Sequence, residues 1–142
     1  MGHVKKILNE KGSTVYSVGS NTTVYNAIEL MCEKNIGGLL IMDNETLLGI
    51  FTERDYARKL ILKGKSSKEA KITEVMTSNV ISVTLHTNIH ECMAIMSARR
   101  IRHLPVLEDE KVVGMISIGD VVKHIIEEQK GIIEHLESYI TH

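Results

Sequence analysis

The hydrophobic residues of this chain recur with two spacings, one typical of helices and one typical of strands. Val24, Ala27, Ile28 and Met31 lie three or four positions apart along one stretch, as residues on one face of an α-helix do. The apolar runs "GGLLIM" and "LLGIF" come next, with the polar residues "DNET" between them. Short apolar runs joined by turn residues are typical of a β-hairpin. This part of the chain is therefore predicted to form a helix followed by two strands.

The second half of the chain repeats this pattern at an offset of 65 residues. Residues 16–61 align with residues 81–126 without a gap, and ten of the 46 aligned positions are identical. A short strand, "TVYSV" or "VISV", precedes each predicted helix. Thr22 and Thr87 stand near the helix starts, where their hydroxyls can accept bonds from free backbone N–H groups. With a second helix at the end of each copy, the order β-α-β-β-α predicts an α+β fold built from two repeats.

Shorter segments flank and join the two repeats. An N-terminal helix, "VKKILNEKG", ends at Gly12, a residue type that commonly closes helices, and "ITEVMT" between the repeats is predicted as one helical turn. Pro105 has no N–H to donate, so its strand is expected at a sheet edge or to begin there. The predicted organisation is an N-terminal helix over residues 1–12, a first repeat over 13–64, a linker over 65–75, a second repeat over 76–127 and a helical tail over 128–142.

The tail departs from the repeat. Seven residues recur at alternating spacings of four and three: Ile118, Val122, Ile125, Gln129, Ile132, Leu136 and Tyr139. This spacing is typical of a coiled-coil seam, although Gly131 is expected to weaken or bend the helix. A helix with an apolar stripe beyond its own repeat needs a partner, so a homodimer is predicted. The alternative is that the tail folds back on its own chain.

Composition and charge narrow the classes of partner. The chain is 43% hydrophobic and 25% charged with a formal net charge of −1, so no global field attracts nucleic acid or an anionic membrane. It contains neither an apolar run of about 18 residues nor a secretory leader pattern. Cys32 and Cys92 have no CxxC spacing. They are expected to be reduced thiols in the cytoplasm, with a disulfide as the alternative.

A seven-residue motif occurs once in each repeat, as "GIFTERD" at residues 49–55 and "GMISIGD" at residues 114–120. Each copy contains Gly, two apolar residues, a hydroxyl, two variable residues and Asp. One interpretation is structural: the hydroxyl and the carboxylate form a capping box at a helix start, and the glycine permits close packing. The other is a ligand site, because a carboxylate can accept both hydroxyls of a ribose. Cations follow the first motif, at Arg54 and Arg58, and precede the second in "ARRIRH"; such cations can bind phosphate, so a nucleotide is indicated.

The duplicated motif and the β-α-β-β-α order resemble a tandem pair of CBS domains, also called a Bateman module. The resemblance covers roughly residues 4–127, and "NIGGLLIMDN", "RIRHLPVLEDEKVVG" and "SIGDVVK" are similar to the small stand-alone type. It implies two repeats related by pseudo-two-fold symmetry, with two clefts between them that take AMP, ADP, ATP, S-adenosylmethionine or NAD.

The resemblance also implies roles for individual residues. The ribose is expected at Asp55 and Asp120, with the hydroxyls of Thr52 and Ser117 beside them. The adenine is expected against the first strand of each repeat, at Thr14, Val15, Tyr16, Val80 and Ile81. Phosphate contacts are expected from Arg54, Arg102 and His103. The first repeat carries Gly37 and Gly38 where the second has Arg102 and His103, so equal occupancy of the two clefts is not expected.

Other chemistry has weaker signals. His86 and His90 have a spacing that can bind metal on one helix face, but His86 is expected before the helix and no third ligand is evident, so no metal is predicted. The chain contains no G-x-S-x-G motif and no P-loop, so it is not predicted to be an enzyme. The predicted function is a cytoplasmic sensor of energy or redox state that binds an adenine nucleotide and signals through an unidentified protein. The alternative is a structural interaction dimer with vestigial clefts.

Overall fold

A computed structural model describes residues 2–141 and has the predicted mixture of helices and strands. Two copies of the order β-α-β-β-α are present, except that the first strand of the second copy is only a bridge, and the α+β class is confirmed. The helices are α1 (Val4–Lys11), α2 (Val24–Lys34), α3 (Glu53–Asp55), α4 (Ile89–Arg99) and α5 (Ile118–Thr141), and the strands are β1 (Ser17–Val18), β2 (Gly38–Asp43), β3 (Thr46–Thr52), β4 (His103–Glu108) and β5 (Lys111–Ser117). A π-helix, Tyr56–Ile61, continues α3, and a 3-10 turn, Ile72–Glu74, lies in the predicted "ITEVMT" turn.

Both repeats contain an antiparallel hairpin, and they differ in the strand that joins it. In the first repeat β1 pairs in parallel with β2, and β2 pairs with β3. In the second, β4 pairs with β5, and Val83 makes only an isolated parallel bridge to Val106. The predicted first strands are therefore too long. Proline explains the difference between the repeats: Leu40 N–H donates to the carbonyl of Tyr16, and Pro105, its counterpart, has no N–H to give.

Helix ends follow the sequence signals closely. The cap residues of α2 and α4 are Thr23 and Asn88, each one residue after the predicted threonine, and their side chains accept bonds from Asn26 N–H and His90 N–H. Gly12 ends α1 with φ of 95°, as predicted, because glycine adopts this left-handed region without a Cβ clash.

The chain divides into two compact units that do not coincide with consecutive stretches of sequence. The first unit contains residues 2–14 together with residues 82–141, and the second contains residues 15–81. In the first unit the N–H of Val4 donates to the carbonyl of Thr87 at 2.9 Å. The N-terminal helix thus packs with the second repeat, and the side chains of α1 that face inward are fully or nearly buried: Val4, Ile7 and Leu8.

The second unit has its own aliphatic core around a single phenylalanine. Phe51, Leu39 and Ile41 come from β2 and β3 and are fully buried. The α2 residues Val24, Ala27 and Met31, which the helical spacing predicted, are buried in the same cluster. Ile72 and Val75 from the segment after the first repeat complete the core, so the turn before the second repeat packs onto the first.

The tail is one continuous helix, and its exposed large apolar residues include four of the seven predicted seam positions: Val122, Ile132, Leu136 and Tyr139. α5 runs through Gly131 without interruption. Near its start, Val121 and His124 are buried, whereas Val122 and Ile126 are exposed. All residues from 131 to 140 are exposed, so this part of the tail is not buried against the rest of the described chain. Within residues 2–141, no helix is long and apolar enough to span a membrane.

Candidate functional site

Both copies of the motif form a reciprocal cap at a helix start, as the structural interpretation predicts. In the first, Asp55 Oδ2 accepts from Thr52 N–H at 3.0 Å, and Thr52 Oγ1 accepts from Asp55 N–H at 3.4 Å. In the second, Asp120 Oδ2 accepts from Ser117 N–H at 2.8 Å, and Ser117 Oγ accepts from Asp120 N–H at 3.2 Å. Capping fixes the position of each carboxylate but leaves part of its acceptor capacity for other donors.

Two further residues, Thr77 and Lys59, contact the oxygen of Asp55 that the cap leaves open. Its Oδ1 accepts from the hydroxyl of Thr77 at 3.4 Å and lies 3.2 Å from Nζ of Lys59. Lys59 Nζ also donates to the Thr77 hydroxyl at 3.2 Å. Both oxygens of Asp55 therefore have partners, and the residue is only 8% exposed.

Asp120 is more open. Its Oδ2 accepts from Nζ of Lys11 at 2.8 Å, and Lys11 also donates to the carbonyl of Met115 at 2.9 Å. No hydrogen bond reaches Oδ1 of Asp120 from any residue between 2 and 141, and the side chain is 24% exposed. Partial burial acts to raise the pKa of Asp120, but the Lys11 and Ser117 hydrogen bonds and the Lys11 charge outweigh it. The net pKa lies below the usual value, and the carboxylate is ionised at neutral pH.

The glycine of each motif permits a close approach by the segment that precedes a repeat. A Cβ on Gly49 would lie 2.6 Å from Sδ of Met76 and 2.9 Å from the carbonyl oxygen of Thr77. A Cβ on Gly114 would lie 2.7 Å from a terminal methyl of Leu8. These contacts bring Thr77 and Lys11 to the two carboxylates, so the glycines help to build the surroundings of the aspartates.

Two of the three residues predicted to bind phosphate, Arg102 and His103, lie beside the second motif. His103 pairs with Ser117 across the β4–β5 hairpin, and the carbonyl of Arg102 accepts from the N–H of Ile118 at 2.8 Å. The Arg102 side chain is exposed. In the first repeat, Gly38 pairs with Thr52 in the same way. Glycine has no side chain, so the position that corresponds to His103 carries no cation.

The remaining predicted contacts are divided between the units. Arg54 is exposed on α3, one residue from Asp55. The proposed adenine residues Val15, Tyr16, Val80 and Ile81 belong to the same unit as Asp55, whereas Thr14 belongs to the unit of Asp120. None of these five lies in a regular strand.

Three residues near the carboxylates were not predicted: Lys11, Lys59 and Thr77. Lys59 lies four residues after Asp55 on a helical segment, a spacing that could have indicated it. Lys11 and Thr77 come from the segments that precede the repeats. No periodicity in the sequence indicates which repeat each segment joins.

Among the described residues, neither His86 nor His90 belongs to a cluster of three potential metal ligands. His86 lies in the turn before α4, as expected. His90, on α4, has Nε2 3.2 Å from a carboxylate oxygen of Glu128. Cys32 and Cys92 are both free thiols.

The family model for the CBS domain matches the chain twice, over residues 4–62 and 72–127. CBS domain-containing protein CBSX3 of Arabidopsis thaliana, a mitochondrial protein, is 40% identical over 126 residues, which are 85% of this chain and 61% of the relative. The chain thus spans about three fifths of that relative's length.

The solved structures that are similar to this chain are also CBS-domain proteins. A CBS-domain protein from Burkholderia ambifaria has 49% identity and a TM-score of 0.87, with 90% of this chain and 96% of that chain covered. The CBS domain pair of protein MJ0100, in complex with 5′-methylthioadenosine and S-adenosyl-L-methionine, has 28% identity and a TM-score of 0.77, with 90% and 98% covered. Because the two family matches span most of the chain and each contains one copy of the capped Asp motif, this protein belongs to the CBS domain family and contains two such domains.

Proposed function

We propose that this protein is a regulatory module that binds an adenine nucleotide, AMP, ADP, ATP or NAD, with Asp120 as the principal ribose ligand. The observation that carries the proposal is the state of the Asp120 carboxylate. It is held by its cap, its pKa is lowered, and one oxygen has no hydrogen bond from the described residues. A carboxylate in this state can accept a ribose hydroxyl without first losing a bond from its own chain.

The neighbouring cations favour a ligand that carries phosphate. Arg102 and His103 lie at the edge of the hairpin that ends in Ser117, and the planar guanidinium of arginine suits bidentate phosphate binding. The MJ0100 pair binds two adenosine compounds, which supports the adenosine part of the proposal. Neither of those compounds has a phosphate, so the phosphate part rests on Arg102 and His103 alone.

Asp55 is proposed as a weaker second site. Its carboxylate is buried, and both oxygens already have partners. A ribose hydroxyl would have to replace Thr77 or Lys59, and binding there must offset those lost contacts. The proposed adenine contacts Val15, Tyr16, Val80 and Ile81 would serve this site.

Signalling would follow from the sharing of the Asp120 carboxylate, with the ribose hydroxyl on Oδ1 and Lys11 on Oδ2. A ribose hydroxyl that approaches the carboxylate alters the hydrogen bond from Lys11, and Lys11 belongs to α1. The ligand can shift α1 only by as much as its affinity differs between the attached and released states. The regulated protein would sense that shift. This mechanism needs no catalytic step, and the free thiols Cys32 and Cys92 support a reducing compartment such as the cytoplasm.

A ligand panel followed by one pair of variants tests the proposal. Thermal shifts with AMP, ATP, NAD, NADH and S-adenosylmethionine identify the ligand. Calorimetry then compares AMP with adenosine on Arg102→Ala, with Arg99→Ala, an exposed arginine at the end of α4, as the control. We expect Arg102→Ala to weaken AMP binding about tenfold or more and to leave adenosine binding nearly unchanged. Equal losses for both ligands would remove Arg102 from the phosphate site.

The second candidate function is a structural interaction module that forms homodimers. Seven large apolar side chains of α5 are at least 36% exposed: Val122, Ile126, Ile132, Ile133, Leu136, Tyr139 and Ile140. A stripe of this size is typical of a helix that packs against a partner. A panel in which no adenosine compound binds, together with a stable dimer, would favour this function over nucleotide sensing.

A further inference from the structure

We propose that Glu10, His124 and Glu127 form a binding site for one divalent transition-metal ion, and that Zn²⁺ fits it best. Glu10 lies on α1, and His124 and Glu127 lie on α5, all within the unit of residues 2–14 and 82–141. The three potential ligand atoms lie within 4.8 Å of one another. None of the three side chains is a nucleotide contact proposed above, although His124 Nδ1 lies 3.0 Å from the backbone carbonyl oxygen of Asp120. The sequence alone did not indicate the site, because Glu10 is 114 positions from His124.

The orientation of His124 supports the site. The ring is buried, and Nδ1 lies 3.0 Å from the backbone carbonyl oxygen of Asp120. A carbonyl oxygen only accepts, so Nδ1 carries the hydrogen, and in the neutral ring the lone pair is on Nε2. Metal-binding histidines are commonly held in this way, with one nitrogen bonded to a backbone carbonyl and the other facing the ion.

The side chains around Nε2 suit a cation. Nε2 lies 2.7 Å from a carboxylate oxygen of Glu10, and the Glu127 carboxylate is the third potential ligand. Among residues 2–141, no lysine or arginine forms an ion pair with Glu10 or Glu127. A divalent ion bound by a neutral imidazole balances both carboxylates.

The ligand set distinguishes among metals. One imidazole and two carboxylates resemble the mixed nitrogen and oxygen sets of zinc sites that keep an open position. Magnesium and calcium prefer oxygen ligands alone. Zinc–ligand bonds of about 2.1 Å in a tetrahedron place ligand atoms about 3.4 Å apart, which lies between the 2.7 Å pair and the 4.8 Å limit seen here. Glu10 and Glu127 are exposed, so their side chains can rotate to close the remaining gap.

Zinc titration of the full-length, chelator-treated protein tests the site. We expect one tight Zn²⁺ equivalent per chain by calorimetry, and a visible absorption spectrum when Co²⁺ replaces it. Glu10→Gln and Glu127→Gln should each weaken Zn²⁺ binding by about tenfold or more, the scale seen when metal-site residues are altered. Glu127 is exposed, so Glu127→Gln should keep the melting temperature of the metal-free protein; Glu10 contacts the buried ring of His124, so Glu10→Gln is compared with its own metal-free melting temperature. His124→Gln should abolish the Co²⁺ spectrum.

The matched control is Glu134→Gln, an exposed carboxylate farther along the same helix, which should bind Zn²⁺ like the unmodified protein. Two background variants, Cys32→Ser and His90→Ala, test two of the other exposed potential ligands. The proposal is wrong if no Zn²⁺ equivalent binds, or if binding responds to a background variant and not to Glu127→Gln. These outcomes are independent of nucleotide binding, because Zn²⁺ alone is titrated.

Discussion

Asp55 and Asp120 occupy the same place in a duplicated motif, yet their carboxylates have different surroundings. Asp55 is buried and has hydrogen-bond partners on both oxygens, whereas Asp120 is partly exposed and has partners on one. The difference comes from residues outside the motif, Thr77 and Lys59 in one case and Lys11 in the other. A shared motif therefore predicts the capping of both carboxylates but not their availability to a ligand.

Alanine variants of the two aspartates should differ in whether nucleotide affinity or folding stability falls more. Asp120→Ala should weaken nucleotide binding by about 1.5–3 kcal/mol, the scale of lost hydrogen bonds to a charged group, and cost about 1 kcal/mol of stability as a lost cap. Asp55→Ala should cost about 1–3 kcal/mol of stability, because it leaves buried donors without an acceptor, and change affinity less. Calorimetry and urea unfolding of both variants measure the two effects. Unchanged affinity in the double variant would remove the aspartates from the ribose site.

The ion pair between Lys11 and Asp120 should make the free energy of unfolding depend on pH in the acid range. The folded pKa of Asp120 is lowered, so the unfolded chain takes up its proton first as pH falls, near the unperturbed value of about 3.9. The stabilisation that the Asp120 carboxylate contributes to the fold is complete above its unfolded pKa, and it is lost as pH falls toward the folded pKa. Urea unfolding at several pH values should show that Lys11→Met loses less stability as pH falls than the unmodified protein does. Lys5→Met, an exposed lysine on the same helix, should behave like the unmodified protein; an equal effect of both variants would contradict the assignment.

The two thiols should differ in reactivity. Burial, assisted by the charge of Glu91, raises the pKa of Cys92 to about 11, and Cys32 is exposed. Because the thiolate is the reactive form, a thiol reagent at neutral pH should modify one cysteine in the native protein and two in urea. Cys32→Ser should remove the native reaction. Rapid native modification of both thiols would show that the region around Cys92 opens readily.

At the scale of secondary-structure elements, regular patterns predicted the helices and the hairpins. The length of the first strand in each repeat depends on individual backbone contacts. The three-and-four spacing of Val24, Ala27 and Met31 predicted the buried face of α2 correctly. The first strand of the second repeat was predicted over four residues and is a bridge at Val83, because its neighbour contains Pro105. The spacing in the tail predicted an apolar seam but not the buried residues Val121 and His124, which pack in a unit that also contains α1.

Three glycine-to-alanine variants should separate close packing from helix propensity. At Gly49 an added Cβ meets the backbone oxygen of Thr77, which cannot move easily because it accepts from Ile50 N–H. Gly49→Ala should therefore cost about 1–3 kcal/mol, as overpacking does. Gly114→Ala should cost less, because the atoms it meets are terminal methyls of Leu8. Gly131→Ala meets nothing within 4 Å and should stabilise α5 by about 0.5–1 kcal/mol.

Urea unfolding at fixed pH measures all three glycine variants. A loss at Gly114 as large as that at Gly49 would show that Leu8 cannot rearrange. A loss at Gly131 would show that this part of α5 packs against something in solution.

At the scale of the whole molecule, the apolar face of α5 should control association. Deletion of residues 131–142 should weaken a dimer, because it removes Ile132, Ile133, Leu136 and Tyr139. It leaves the His90–Glu128 contact and both Asp motifs in place. Leu136→Ser should weaken the dimer in the same direction, and Glu134→Gln should not. Light scattering at several concentrations gives the mass, and a full-length protein that stays monomeric throughout would refute the dimer.

The division of the chain into units has a consequence for the order in which the protein folds during synthesis. The helix α1 is synthesised before the carbonyls of Leu85 and Thr87, which accept its first N–H groups and are made more than 70 residues later. At about 5–20 residues per second, α1 waits several seconds for its partners, while residues 15–81 already contain a complete core of their own. The helix α1 thus leaves the ribosome well before the segment it packs against, and until then Val4, Ile7 and Leu8 are an apolar surface open to chaperones or to a neighbouring nascent chain.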